Sequence, residues 1–189
     1  MKSQKNMTRK VQTLQDCHCG LEKAHGQLLS LQSSQAVARE IRAHKKLKMK
    51  DKSAPSIIAQ GARYASGGQQ LIDAGTMFDL NFVSNFINMD CRKGTVRVSA
   101  GTNFRELVHL LEKEQTEKGR NLQDFWTIRQ KPAGIDTVTI GGALASNIHG
   151  RGLHQAPFVD DIESIEVVTA DGEIREVNRE IDSTLFNLI

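Results

Sequence analysis

The chain has 189 residues, 39% of them hydrophobic and 25% charged, with 15 glycines; this is a globular composition and excludes a disordered or fibrous protein. No window holds 18 consecutive apolar residues, and basic residues 1–10 lead into Val11-Gln12-Thr13-Leu14-Gln15-Asp16, so neither a transmembrane helix nor a secretory signal is expected. The net charge of +3 is too small for a polyanion-coating protein, and three cysteines, an odd number, fit a reducing, cytoplasmic setting better than a disulfide framework.

Residues 1–28 carry no firm structural signal and are expected to form a weakly ordered segment. Cys17-His18-Cys19, with His25 nearby, lacks the ligand spacing and the second cysteine pair of a zinc site, so no metal is expected. A helix is predicted from Ser33, capped by Ser34, with Val37, Ala38 and Ile41 on one face and Arg39, Arg42, Lys45 and Lys46 outside it. Residues 1–52 hold 12 Lys/Arg against 4 Asp/Glu, but no Phe, Trp or Tyr that could stack on a base or anchor in a bilayer. The basic arm therefore reads as a solvated face, with neither nucleic acid nor membrane as partner.

Ser56-Ile57-Ile58-Ala59-Gln60 is a buried strand that runs into Gly61-Ala62-Arg63-Tyr64-Ala65-Ser66-Gly67-Gly68. Further strands are predicted at 77–80, 86–90 and 95–101, the last marked by the Val96/Val98/Ala100 alternation. Asn103 caps a helix with Glu106 three residues on and a stripe of Phe104, Leu107, Val108 and Leu111. Lys131-Pro132-Ala133-Gly134 is a loop, and residues 139–152 read as a helix of small side chains flanked by glycines. A hairpin over 162–169 and 173–177 turns at Asp171-Gly172. Strands mixed with a few helices make the fold α+β.

Two glycine-rich segments carry the chemistry. Glycines allow several N–H groups of loop 61–68 to face one point, and Ser66 adds a hydroxyl. Gly141-Gly142 opens a helix whose N-terminal N–H groups and dipole favour an anion. Together they suggest a diphosphate. A P-loop is disfavoured because Gln69-Gln70, not Lys-Ser/Thr, follows Gly68, and neither segment has the G-x-G-x-x-G spacing of a dinucleotide fold.

These blocks occur in a specific order: 57–69, 95–101, 137–152 and Val167-Val168-Thr169-Ala170-Asp171-Gly172. In that order they resemble the FAD-binding domain of the vanillyl-alcohol oxidase/p-cresol methylhydroxylase flavoprotein family, in particular its sugar-lactone oxidase-like and FAD-linked oxidase members. The resemblance covers about residue 29 to the last residue. It implies a two-lobed α+β domain with FAD between the lobes, its pyrophosphate cradled by Gly61, Ala62, Arg63, Tyr64, Ala65, Ser66, Gly67 and Gly68. Gly134, Thr139, Gly141, Gly142, Ser146, Asn147, Ile148 and His149 match the family's second set of cofactor contacts.

The implied activity is oxidation of a CH–OH group in a small-molecule sugar, sugar lactone or hydroxy acid. The alternative is an inactive remnant of such a domain, or an interaction module. Tyr64 stands where many members carry the histidine that bonds the flavin, so the FAD is expected to be non-covalent. Members also continue into a last strand and a substrate domain, so the chain is expected to be C-terminally incomplete. No catalytic residue can be nominated.

Overall fold

The computed structural model describes residues 10–81, 87–132 and 134–189. The chain divides into two compact units, residues 1–82 with 166–176 and residues 83–165 with 177–189. Predicted positions 86 and 133 lie outside the described residues.

In the first unit, β1 (Lys10–Gln15) pairs antiparallel with β2 (Lys23–Ser30). The helix α1 (Ser34–Lys50) follows, then β3 (Ile57–Gln60) and β4 (Thr76–Asp79). The sheet order is β1-β2-β4-β3, with β4 inserted parallel between β2 and β3. Both β2 and β4 are paired on two sides, and β4 is the more buried, at Met77, Phe78 and Asp79.

Residues 10–28 are thus not a weakly ordered segment. The buried positions of β2 include Ala24 and Gly26, side chains too small to register as an apolar alternation. A Cβ at Gly26 would lie 2.8 Å from the Gly75 carbonyl oxygen and 2.9 Å from Met77 Cε, so close strand packing requires glycine there.

The cap of α1 is Ser33, not Ser34: its hydroxyl accepts from the Ala36 N–H at 3.2 Å. Ala38 is buried, and Ala36, Val37 and Ile41 pack on a core of Leu29, Leu31 and Phe78. Arg42 is not merely solvated, because its guanidinium donates to the Gly172 carbonyl. Gly172 has φ +80°, and a Cβ there would meet Arg42 Cγ and the Ala38 carbonyl. The Asp171-Gly172 turn, closed by Gly172 N–H donating to Thr169 O at 2.9 Å, belongs to the hairpin of β7 (Ser164–Val168) and β8 (Ile174–Asn178).

In the second unit, β5 (Ile87–Asp90) and β6 (Thr95–Val98) pair antiparallel. Their turn holds Gly94 at φ +67°, with the Asp90 carboxylate accepting from the N–H groups of Arg92 and Lys93. These two N–H groups, first Arg92 and then Lys93, lower the Asp90 carboxyl below its ordinary range. The helix α2 (Phe104–Glu117) begins with the expected capping box of Asn103 and Glu106. Leu107 and Leu111 join Met89 in one core cluster; Phe104 meets Phe158 edge-on at 5.4 Å in another. Val108, placed on the buried stripe by its spacing, is 40% exposed.

Gln115 on α2 is fully buried and satisfied. Its amide donates to Leu111 O and Trp126 O, and accepts from the Trp126 N–H at 2.6 Å. The small-residue helix is shorter than expected: α3 covers only Ile140–Ala145, and residues 146–152 are irregular. The short helix α4 (Ser183–Phe186) buries Phe186. Among the described residues no helix is long and apolar enough to cross a membrane.

Candidate functional site

The loop 61–68 leaves the carboxyl end of β3 and is pinned at both ends. At its start, Asn81 Nδ2 donates to the Gly61 carbonyl at 2.9 Å, and the Leu80 N–H to that of Gln60 at 3.0 Å. Near its end, Gly68 has φ +66°, and a Cβ there would lie 2.7 Å from Glu22 Cβ, so both conformation and contact demand glycine. Arg63 also takes the left-handed region, at φ 60°, a conformation that costs a non-glycine residue roughly 1–2 kcal/mol.

Arg63 is held there by the β1–β2 turn, since its carbonyl accepts from the Cys17 N–H at 2.7 Å. That turn is wrapped around one carboxylate. Asp16 Oδ1 accepts from the N–H groups of His18, Cys19 and Gly20 at 3.1, 2.8 and 3.0 Å, and Oδ2 from that of Glu22 at 3.0 Å. The Cys19 and Glu22 N–H groups, aided by Gly20 and the Cys19 thiol, hold the Asp16 carboxyl far below the usual carboxylate range. Asp16 thus shapes a brace for the glycine-rich loop. Sequence reasoning passed over it, although an Asp followed by a glycine four residues on is a turn signal.

Five of the loop's amides are open, while the Gly68 N–H donates to Ala65 O at 3.2 Å. Among the described residues, no protein acceptor meets the backbone N–H groups of Ala62, Arg63, Ala65, Ser66 or Gly67. Tyr64 is half-buried. Two glutamines bracket the loop, both buried and both with polar atoms that lack a partner: Oε1 of Gln60, and Oε1 and Nε2 of Gln70. Leaving such atoms unpaired is costly, on the order of 1–3 kcal/mol each, and they are best understood as awaiting a polar ligand or water. Five open amides, flanked along the chain by unsatisfied carboxamides, fit a diphosphate-bearing cofactor. Neither glutamine was legible as a site residue, because burial and missing partners are tertiary facts.

The second set of residues, on the other unit, behaves differently. The N-terminal amides of α3 are already taken: Ile140 donates to Thr102 O, Gly141 to Ala100 O and Gly142 to Thr139 Oγ1. The expected anion-binding helix terminus is therefore corrected; its N–H groups serve the fold. Gly141 and Gly142 are needed for close packing, since a Cβ on Gly141 would sit 3.0 Å from Ala100 Cβ, and one on Gly142 2.9 Å from Thr139 Oγ1. Thr139 itself is buried as the cap.

At the other end of α3, Asn147 takes φ 43° and donates its N–H to Leu144 O, while Ile148 donates to Ala143 O. This is a helix-ending motif in which asparagine replaces the usual glycine. The side chains of Ser146, Asn147 and His149 are exposed here, and His149 Nδ1 lies 2.9 Å from the Gly150 carbonyl oxygen. Gly134 is exposed with φ +86°, and nothing lies near the position of a Cβ. Among the described residues no group of three or more His, Cys, Asp or Glu could hold a metal ion.

Residues 28–178 match the FAD binding domain family. The chain is 32% identical over 128 residues to L-galactono-1,4-lactone dehydrogenase 2, mitochondrial, of Oryza sativa subsp. japonica, covering 68% of this chain and 20% of the rice protein. It is 29% identical over 132 residues to decaprenylphosphoryl-beta-D-ribose oxidase of Mycolicibacterium smegmatis, covering 69% of this chain and 26% of that one. With alditol oxidase of a Streptomyces species it shares 26% identity over 98 residues, covering 52% and 21% respectively. The chain thus spans only about a fifth to a quarter of the length of these relatives.

Proposed function

We propose, since the chain belongs to the FAD binding domain family, that it is the cofactor-holding part of an oxidoreductase acting on a CH–OH group of a sugar, sugar lactone or hydroxy acid. The names of its relatives, which concern a galactonolactone, a ribose derivative and alditols, support a sugar-derived substrate. Bound FAD supplies a ring that accepts a hydride; the protein's part is to hold and orient it. The two units correspond in this reading to the two lobes of the family's domain. The amides of loop 61–68, with Ser66, hold the diphosphate, and Ser146 to His149 provide further contacts.

One observation carries this reading: the open amides of Ala62, Arg63, Ala65, Ser66 and Gly67 stand, along the chain, between two buried glutamines with unpartnered atoms. It leads to an unusual expectation for Gln70→Leu. Removing a buried, unpaired carboxamide should leave the ligand-free protein as stable as before or more so. The same change should weaken FAD about tenfold, because an unpaired polar group next to the proposed cradle is lost. FAD titration followed by flavin fluorescence, paired with thermal melts, reads both. Lys46→Ala, on the exposed face of α1, should change neither. Equal FAD affinity in Gln70→Leu and the unaltered protein would place the cofactor elsewhere, and no FAD binding at all would remove the proposal.

Attachment gives a second expectation. With Tyr64 in place of the histidine, acid precipitation of the FAD-loaded protein should leave all flavin in the supernatant. Fluorescent protein on a denaturing gel would contradict it.

A further inference from the structure

We propose that Cys17 and Cys19 are an oxidant-responsive dithiol whose closure to a disulfide loosens the glycine-rich loop; the consequence for FAD rests on the reading of that loop as the cofactor cradle. The chain has three cysteines. Cys91 is half-buried and packs on the core of the second unit, whereas Cys17 and Cys19 are both exposed, two residues apart in the β1–β2 turn. Cα atoms two residues apart are at most about 7 Å from one another, and a bend brings them within the ~4.4–6.8 Å that a disulfide spans.

This turn touches the loop directly. The Cys17 N–H donates to Arg63 O at 2.7 Å. The Cys19 thiol lies 3.5 Å from Ser66 O and 3.3 Å from Asp16 Oδ1, donating toward both. The Cys17 sulfur makes no hydrogen bond among the described residues and is open to solvent.

The oxidant is a hydroperoxide. The Cys17 thiolate attacks its terminal oxygen, forming an S–O bond and breaking the O–O bond. For hydrogen peroxide the departing hydroxide takes up a proton and leaves as water. The Cys19 sulfur then attacks the sulfenic sulfur, forming S–S and breaking S–O. The Cys19 proton leaves with the displaced hydroxide as a second water. Two thiols lose two electrons in all, and the peroxide gains them.

The consequence does not depend on the final ring geometry. A disulfide has no S–H, so the one thiol hydrogen that Cys19 shares between Asp16 Oδ1 and Ser66 O is lost, and Ser66 loses its tie to the turn. Ring closure also changes the backbone at Cys17, which holds Arg63 in its left-handed conformation.

The test uses the full chain. Stoichiometric hydrogen peroxide should lower the reactive thiol count from three to one, with the mass falling by two hydrogens and a peptide linking residues 17 and 19. Dithiothreitol should reverse all three changes. Hydrogen exchange of the 61–68 amides should speed up on oxidation, and FAD affinity should fall roughly threefold to tenfold. Cys19→Ser should show no disulfide and no peroxide effect on either readout. Three persisting thiols, a bridge involving Cys91, or unchanged exchange and affinity in the oxidised protein would overturn the proposal. If the reduced protein bound no FAD, the cofactor reading alone would fail, and thiol count with hydrogen exchange would still decide the switch.

Discussion

Asp16→Ala is expected to weaken FAD binding about tenfold or more, although residue 16 carries no contact to the cofactor in the proposed site. Four backbone N–H groups, of His18, Cys19, Gly20 and Glu22, lose their acceptor at once. The turn they form is what holds Arg63 and Ser66, so the loop is no longer preorganised for a ligand. Asp16→Asn keeps an acceptor at Oδ1 and should fall between the two.

The charge makes a separate, pH-dependent contribution. The folded-state carboxyl is held below its unfolded value of about 3.9, so ionised Asp16 favours folding at pH values above roughly 4. That stabilisation is lost as pH falls below this value toward the folded-state one. Melting curves between pH 6 and about 2.5 should therefore show a steeper acid loss in the unaltered protein than in Asp16→Asn. Parallel pH profiles, or unchanged FAD affinity in Asp16→Ala, would show that the brace does not matter.

Gln115→Leu should cost the most stability of any single polar replacement in the second unit. The side chain imitates a paired strand against Trp126, accepting from its N–H and donating to its carbonyl while fully buried. Leucine fills similar volume but leaves both backbone groups unpaired, at about 3 kcal/mol together. For a chain of this length that is a fall of roughly 6–12 °C in melting temperature. Trp126→Phe is the control. It removes only the indole donation to Cys91 O at 2.9 Å from a side chain that is 45% exposed, and should cost about 1 kcal/mol. A Gln115→Leu protein melting with the unaltered one would mean that the Trp126 groups find other partners.

Several features were legible in the amino-acid letters: the Asn103/Glu106 capping box of α2, the glycine at the Asp171-Gly172 turn, the strand that leads into loop 61–68, and the block order that resembles a flavin domain. The first three depend on neighbours within a few residues, so the letters carry the physics directly, and the block order is read straight off the chain. Tertiary structure decided the rest. Strand β4 enters between β2 and β3 through pairings that no local pattern encodes, and β1 gains its place from hydrogen bonds to β2 rather than from apolar alternation. The amides of α3 resemble an anion site in sequence, yet Ala100 and Thr102, some 40 residues earlier, have already claimed two of them. Conversely, Gln60, Gln70 and Asp16 look like ordinary polar residues until folding buries them. Whether a polar group is spent on the fold or left for a ligand depends on which partners long-range packing brings within about 3 Å, and that is settled only by the completed structure.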